Sequence, residues 1–359
     1  MKNSENMSQG LLKLLALDHA IDFLKNTTIS SDALTWKRVC GSIATVLVIL
    51  LFLSGAVMAL YYSPYPGAAY DSVQYAEFDL PFGDVIRGIH HWSWNILLVV
   101  ILLHMAWTFF TGAYKPPREM VWVSGVLLLL IVPLAIITGD LLPWTQAGFW
   151  TTRVRISIIS SVPVIGPFMV DSLQGGPRTG IVALTRFYVL HVIFLPVGIT
   201  TLMGLHFYFL RLKGIADPIT PSRLPKRKIA LLPDMVNRWL ILFIVVTLVI
   251  GIATRFWFAV PYGDPADPSD SRFVPKPEWW VLFLNQLVSI FKGPFTVVGS
   301  AVIPGVLAGI LLLLPFISRS PERRPARRWK EILVAILIAA AILGLSIMSW
   351  IEHFTTTAA

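Results

Sequence analysis

Four histidines stand in segments otherwise fit for hydrocarbon. His90 and His104 belong to "RGIHHWSWNILLVVILLHMAW", and His191 and His206 bound "HVIFLPVGITTLMGLH". An imidazole in lipid is costly unless something binds it. The first two are 14 residues apart, so they differ by about 40° around a helix and by about 21 Å along it. The second two are 15 apart, which is about 60° and about 22 Å. His91 falls on nearly the opposite side from His104, so His90 is the better partner. With both segments running the same way, His90 faces His191 at one level and His104 faces His206 at another. Two facing pairs suit the irons of two stacked haems, each held by two histidines, an arrangement that carries electrons and leaves no open iron position. The alternative is a hydrogen bond from each histidine to a serine or carbonyl of a neighbouring helix, which leaves the double pairing unexplained.

Glycines repeat the interval. Gly41 and Gly55 are 14 apart, as are Gly125 and Gly139. A flat macrocycle comes close to a backbone only where no side chain intervenes, so these positions read as haem cradles. Close helix packing through small residues is the competing explanation. Arg87 lies one turn before His90, Arg186 lies five residues before His191, and Arg118 follows the second apolar run. These are the cations expected to meet haem propionates, although an arginine at a helix end also snorkels without a partner.

Such residues need long apolar helices to hold them. Of the 359 residues, 55% are hydrophobic and only 14% charged, with a mean hydropathy of +0.71; a soluble chain carries about 25% charged residues. The apolar residues gather into seven runs of membrane-spanning length, at 39–62, 89–113, 121–142, 183–212, 238–260, 294–318 and 331–351. The expected class is therefore an all-α polytopic membrane protein, a four-helix di-haem bundle followed by three further spans. The segment 9–26 is too polar to cross and has its leucines at helical spacing, so residues 1–30 are expected to form a surface helix and arm. No cleavable signal peptide is expected, because no apolar core with a small-residue cleavage site follows the polar start.

The N-terminal segment and the loops after runs two, four and six hold 20 of the 29 lysines and arginines. That puts the N-terminus in the cytoplasm and the C-terminus outside a bacterial inner membrane, and it accounts for the net charge of +9 without nucleic acid. The single cysteine, Cys40, excludes an internal disulfide and a multi-cysteine cluster. The stretch "KGIADPITPSRLPKRKIALLPD" divides the chain into a di-haem part at 31–215, a linker at 216–236 and a three-span part at 237–359.

The stretches "RGIH" with His104, "YKPPREMVWVSG", "GDLLPWTQAGFW", "LTRFYVLH" and "PEWW" follow one another across 30–318. On these the chain resembles cytochrome b of the quinol-oxidising bc complexes. The nearer likeness is to the photosynthetic type, whose four-span cytochrome b and three-span subunit IV are separate chains; here the two are joined. The resemblance implies a bifurcated reaction. Quinol is oxidised near the outer face, one electron passes to a Rieske iron–sulfur protein and the other to the outer haem, and two protons leave outside. The inner haem then reduces a quinone near the cytoplasm. A cytochrome c or other c-type haem subunit is the implied acceptor, and a homodimer within a larger complex the implied assembly. Both menaquinol and a benzoquinol are compatible with it.

Glu278 is the expected catalytic carboxylate. It stands beside Pro275, Pro277, Trp279 and Trp280 in the loop between runs five and six, surroundings that disfavour its charged form and suit it to take a proton from a quinol hydroxyl. The competing explanation is an interfacial glutamate among belt tryptophans. Trp280 replaces the tyrosine of the family's usual PEWY motif, and Asp140 stands where the family usually has tyrosine. Asp140 is expected to shift the outer haem's potential or assist proton exit. With Trp279 and Trp280 it is assigned to the quinone-binding set, while Arg211 and Asp217, with Asp18 and His19, are candidates at the inner quinone site. The family's related forms tether a third haem through a cysteine near Cys40. This cysteine is displaced by one residue from that position and reads instead as a small apolar residue. Two other functions compete. A simple di-haem anchor passing electrons between quinone and a dehydrogenase needs neither the Glu278 loop nor three further spans. A transporter with proton-relaying histidines would show no reducible b-type absorbance.

Overall fold

Apolar side chains run right around seven long helices, the pattern of helices solvated by lipid rather than laid with one face on a soluble core. The computed structural model describes residues 28–30, 39–176, 178–214, 216, 228–230 and 236–354. Its seven spans are Val39–Ala59, Gly83–Phe110, Glu119–Asp140, Ile181–Lys213, Val236–Phe256, Gly293–Ile317 and Pro325–His353. Leu53, Val197, Ile241 and Leu337 point away from the bundle and stay more than half exposed. The spans match the expected runs, except that spans two and seven each start six residues early, at Gly83 rather than 89 and at Pro325 rather than 331; the first difference brings Arg87 inside the helix.

Span four is not uniform. An α-helix at Ile181–Val189 passes through a π turn at Leu190–Phe194 into a second α-helix at Leu195–Lys213. Pro196 supplies the reason: it has no N–H to donate, and its ring crowds the carbonyl four residues back. A π turn closes over five residues instead of four, which admits one extra residue and clears the crowding. Span six repeats the device, with a π turn at Val298–Val302 just ahead of Pro304.

Short helices fill the connections. Gln146–Ser160 and Ile165–Gln174 follow span three. Thr145 caps the first of them, its hydroxyl accepting from the Gly148 N–H at 3.2 Å. Ala69–Phe78 after span one and Leu282–Ile290 after span five had no clear sequence signal. A three-residue strand pair, Thr28–Ser30 with Lys228–Ala230, sets Ile29 against Ile229 and ties the arm before span one to the linker before span five. So small a ladder leaves the all-α class intact. The surface helix expected at 9–26 lies outside the described residues.

Span two packs on spans one and five, span four and span six pack on span three, and the helix Leu282–Ile290 packs on span seven. Five spans meet in a core of Leu47, Val48, Leu97, Leu98, Val132, Ile136, Ile199 and Ile250.

A polar clasp joins the loop after span two to the start of span seven. Lys115 is 1% exposed and Arg328 4%. The Lys115 ammonium donates to Ser318 Oγ at 2.6 Å and lies 3.7 Å from Glu331. Arg328 donates to Glu331 at 2.8 Å, to the Phe109 carbonyl at 3.0 Å and to the Tyr114 hydroxyl at 2.9 Å. Burial pushes the Lys115 pKa down and the Glu331 charge pulls it back. Glu331→Gln strips both buried cations of their shared carboxylate, and the expected cost is about 3 kcal/mol. A thermal unfolding midpoint unchanged in the purified protein would contradict that.

Candidate functional site

Each of the four imidazoles lies against one of the four glycines. A Cβ built on Gly55 would stand 3.1 Å from His90 Cε1, and one on Gly139 2.6 Å from His191 Cε1. The matching distances are 3.4 Å from Gly125 to His206 and 3.6 Å from Gly41 to His104. Spans one and three thus seat the histidines of spans two and four, and the glycines expected to face a macrocycle meet the histidine rings themselves. His90 and His191 face each other, their ring centroids 6.2 Å apart and their planes at 67°. That gap has room for one metal ion about 2 Å from a nitrogen on each side. His104 of span two and His206 of span four are the second pair of neighbours.

Hydroxyls fix which nitrogen is free. Ser54 Oγ lies 3.0 Å from His90 Nδ1 and donates to the Leu50 carbonyl at 2.6 Å. Ser124 Oγ lies 3.0 Å from His206 Nδ1 and donates to the Met120 carbonyl at 2.8 Å. Thr138 Oγ1 lies 3.3 Å from His191 Nδ1 and donates to the Leu134 carbonyl at 2.9 Å, while the Ala135 carbonyl lies 2.9 Å from the same Nδ1. Since each hydroxyl gives its own proton to a carbonyl four residues back, it accepts from Nδ1–H. The proton is thereby assigned to Nδ1, and the Nε2 lone pair is left for a metal. Sequence reasoning missed these three residues, yet a signal existed: each directly precedes its glycine, as Ser54-Gly55, Ser124-Gly125 and Thr138-Gly139. In the fourth dipeptide, Cys40-Gly41, a thiol takes the hydroxyl's place.

The π turn settles a mismatch between the spans. Histidines 15 residues apart in span four must meet histidines 14 apart in span two. The extra residue is absorbed in the π turn Leu190–Phe194, which holds His191. Between the two levels lies the apolar core. Leu47 and Val48 fall midway between Gly41 and Gly55, Leu97 and Leu98 between His90 and His104, Val132 between Gly125 and Gly139, and Ile199 between His191 and His206.

These donors fit haem. Among the described residues no three metal-ligating side chains gather to hold a bare ion; the histidines meet in twos, which suffices only where a macrocycle supplies the other ligands. Gly139 is the tightest seat. A methyl there overlaps His191, whereas one on Gly41 makes ordinary contact. Gly139→Ala is therefore expected to lower the haem-to-protein ratio of the purified complex, and Gly41→Ala to leave it near the parent value. Equal ratios for the two variants would refute the seat.

The arginines are already engaged. Arg87 donates to Glu77 at 2.6 Å and to the carbonyls of Val260 at 3.3 Å and Pro261 at 3.0 Å, and it stacks on Tyr262 with 5.1 Å to the ring centre. Burial pushes the Glu77 carboxyl up, and the Arg87 charge opposes this. Arg186 donates to the carbonyls of Asp171 at 2.8 Å and Ser172 at 2.9 Å. Arg118, beyond span two, donates to the Gly214 carbonyl at 3.1 Å. Arg211 sits in the last turn of span four, and Asp217, Asp18 and His19 lie outside the described residues.

Glu278 is half-buried at the entry to the 3₁₀ turn Trp279–Val281. The Trp280 indole N–H donates to its carboxylate, and the Trp280 ring packs on the five-span core. Trp279 turns away and donates to Asn95 of span two at 2.9 Å. Burial raises the Glu278 pKa, as does the Asp140 charge, while the Trp280 hydrogen bond and the Arg155 charge lower it. Asp140 is in turn bound by Arg155 of the helix Gln146–Ser160, at 2.8 Å. Arg155 has no sequence signal of its own; only the fold brings it to the carboxylates.

A family model described as "Cytochrome b(N-terminal)/b6/petB" matches residues 95–265. Cytochrome b6 of Prochlorococcus marinus (strain AS9601) is 39% identical over 179 residues, which are 50% of this chain and 82% of that protein. Cytochrome b6 of Synechococcus sp. (strain CC9902) is 38% identical over the same length and shares. A solved chain of a "Hyperthermophilic respiratory Complex III" superposes with a TM-score of 0.77 at 28% identity, over 90% of this chain and 85% of that one. The structural match thus runs past the four-span part into the three further spans.

Proposed function

The chain belongs to the cytochrome b/b6 family, and from that premise we propose that it is the haem-bearing core of a quinol-oxidising complex of the Complex III type. One observation carries the reading: four imidazoles at two levels, three of them with Nδ1 committed to a hydroxyl, with an apolar layer between the levels. His90 with His191 and His104 with His206 would hold two b-type haems, which when bound would supply a one-electron path across the membrane.

The chain's own residues handle the protons. At the His90 end, Glu278 takes a proton from a quinol hydroxyl, and the Trp280 indole aims the carboxylate. Trp279, fixed to Asn95, forms the wall toward span two. Arg186, whose partners here are neutral carbonyls, keeps its charge for a propionate, whereas the charge of Arg87 is matched by Glu77. At the other end Arg118 and Arg211 give a quinone site its cationic rim. We assign the His90 end to the outer face and the N-terminus to the cytoplasm, on the lysine and arginine distribution.

A redox titration of the purified complex, with haem and iron–sulfur stoichiometry, tests this. Two b haems per chain and a co-purifying Rieske cluster are expected. A single haem, or two haems with a dehydrogenase and no cluster, would replace the reading with that of an electron-passing anchor.

A further inference from the structure

Two carboxylates and one guanidinium meet where the proposed quinol site borders the end of span three. Asp140 is the last residue of that span, Arg155 comes from the following helix, and Glu278 comes from the loop before Trp279. The Asp140–Arg155 bridge is 2.8 Å long with both side chains mostly covered, at 26% and 15% exposure. The second terminal nitrogen of Arg155, Nη2, is buried and has no hydrogen-bond partner. The charged groups whose fields reach Glu278 are Asp140 and Arg155, and the Trp280 indole donates to it. Arg153, two residues from Arg155, is turned to the Trp150 ring instead, 6.0 Å from its centre.

From this geometry we propose that Arg155 is a positioning residue of the quinol site, which by pairing with the Asp140 carboxylate leaves Glu278 free to receive the quinol's proton. The inference rests on the reading of Glu278 as proton acceptor. Two carboxylates in one covered site cannot both stay charged without a counter-ion, and the unsatisfied pair retains a proton. Arg155 supplies that counter-ion to Asp140 at 2.8 Å, which leaves the Glu278 carboxylate to take up the quinol's proton. When the quinol hydroxyl gives up its proton, the Glu278 carboxylate takes it and becomes neutral, with the Asp140–Arg155 charges unchanged beside it. The unpartnered Nη2 suits this role, because a donor buried beside the carboxylates adds positive potential that no other hydrogen bond consumes.

The test is the pH dependence of quinol oxidation by the purified complex, using a short-chain quinol and following reduction of b-type absorbance. Arg155→Met leaves Asp140 and Glu278 uncompensated. The acid limb should move up by about one pH unit, which is about a tenfold lower rate at a fixed pH on that limb. Arg155→Lys, which keeps the charge, should restore most of the profile. Arg155→Met with Asp140→Asn, which removes both charges of the bridge, should bring the limb back toward the parent. Haem content equal to the parent's serves as the folding control, and if Arg155→Met fails it, Arg155→Lys and Asp140→Asn carry the comparison. A rate loss with no shift of the limb, or a shift that persists in the double variant, overturns the role of Arg155. Glu278→Gln distinguishes the layers: if it leaves the rate unchanged, the reading of Glu278 falls and this inference with it. If it abolishes the rate while Arg155→Met moves nothing, only the inference falls.

Discussion

With alanine in place of His206, the purified complex is expected to hold one b-type haem instead of two, and His104→Ala should give the same product. The two side chains serve one level of the bundle, reached from spans four and two, so losing either leaves an iron with one protein ligand and no fixed position between the helices. The haem at the level of His90 and His191 should remain, since those rings meet each other near the opposite end of the spans. His90→Ala or His191→Ala should remove that haem and spare the other. Haem-to-protein ratio and the b-type absorbance measure this directly, and electron transfer across the membrane should fail in all four variants. An undiminished haem content in His206→Ala would break the assignment, because no other histidine stands in that part of span four.

The second large effect concerns protons. Glu278→Gln keeps the size of the side chain but removes the proton acceptor, and the rate of quinol oxidation should fall by about a hundredfold or more. Haem content should not change, since Glu278 touches none of the four imidazoles' hydrogen-bonding partners. The parent enzyme's pH profile carries its own sign. Only ionised Glu278 accepts a proton, and burial and Asp140 lift its pKa above the ordinary glutamate range. The rate should therefore rise with pH through that raised pKa and fall on acidification, and the acid limb should be absent in Glu278→Gln. A limb that persists in this variant would belong to another group. Trp280→Phe, which deletes the indole N–H that lowers the pKa, should shift the limb upward without abolishing turnover.

Much of this was readable from residue order because membrane helices are governed by local rules. A span must be long and apolar, so seven runs could be counted, and a helix turns by a fixed angle per residue, so a 14-residue interval places two side chains on one face. Those two regularities located His90, His104, His191 and His206 and the four glycines, and the five shared stretches gave the family. Periodicity alone could not predict the behaviour of span four. Taken as a plain α-helix its histidines sit about 60° apart, and only the π turn ahead of Pro196 brings them into step with span two. The helices Ala69–Phe78 and Leu282–Ile290 were hidden for a related reason: ten and nine residues are too few for a helical pattern to stand out from loop.

Sequence by itself determined what depends on a residue's own chemistry and its near neighbours: the spans, the histidine intervals, and a carboxylate set among prolines and tryptophans. Tertiary structure alone decided the partnerships between distant segments. It joined Ser54 to His90 and Ser124 to His206, bound Lys115 and Arg328 to Glu331, and carried Arg155 to Asp140 beside Glu278. The physical reason is that a buried donor or charge must be matched wherever the chain happens to bring a partner. That condition is set by packing in three dimensions, and no interval along the chain encodes it.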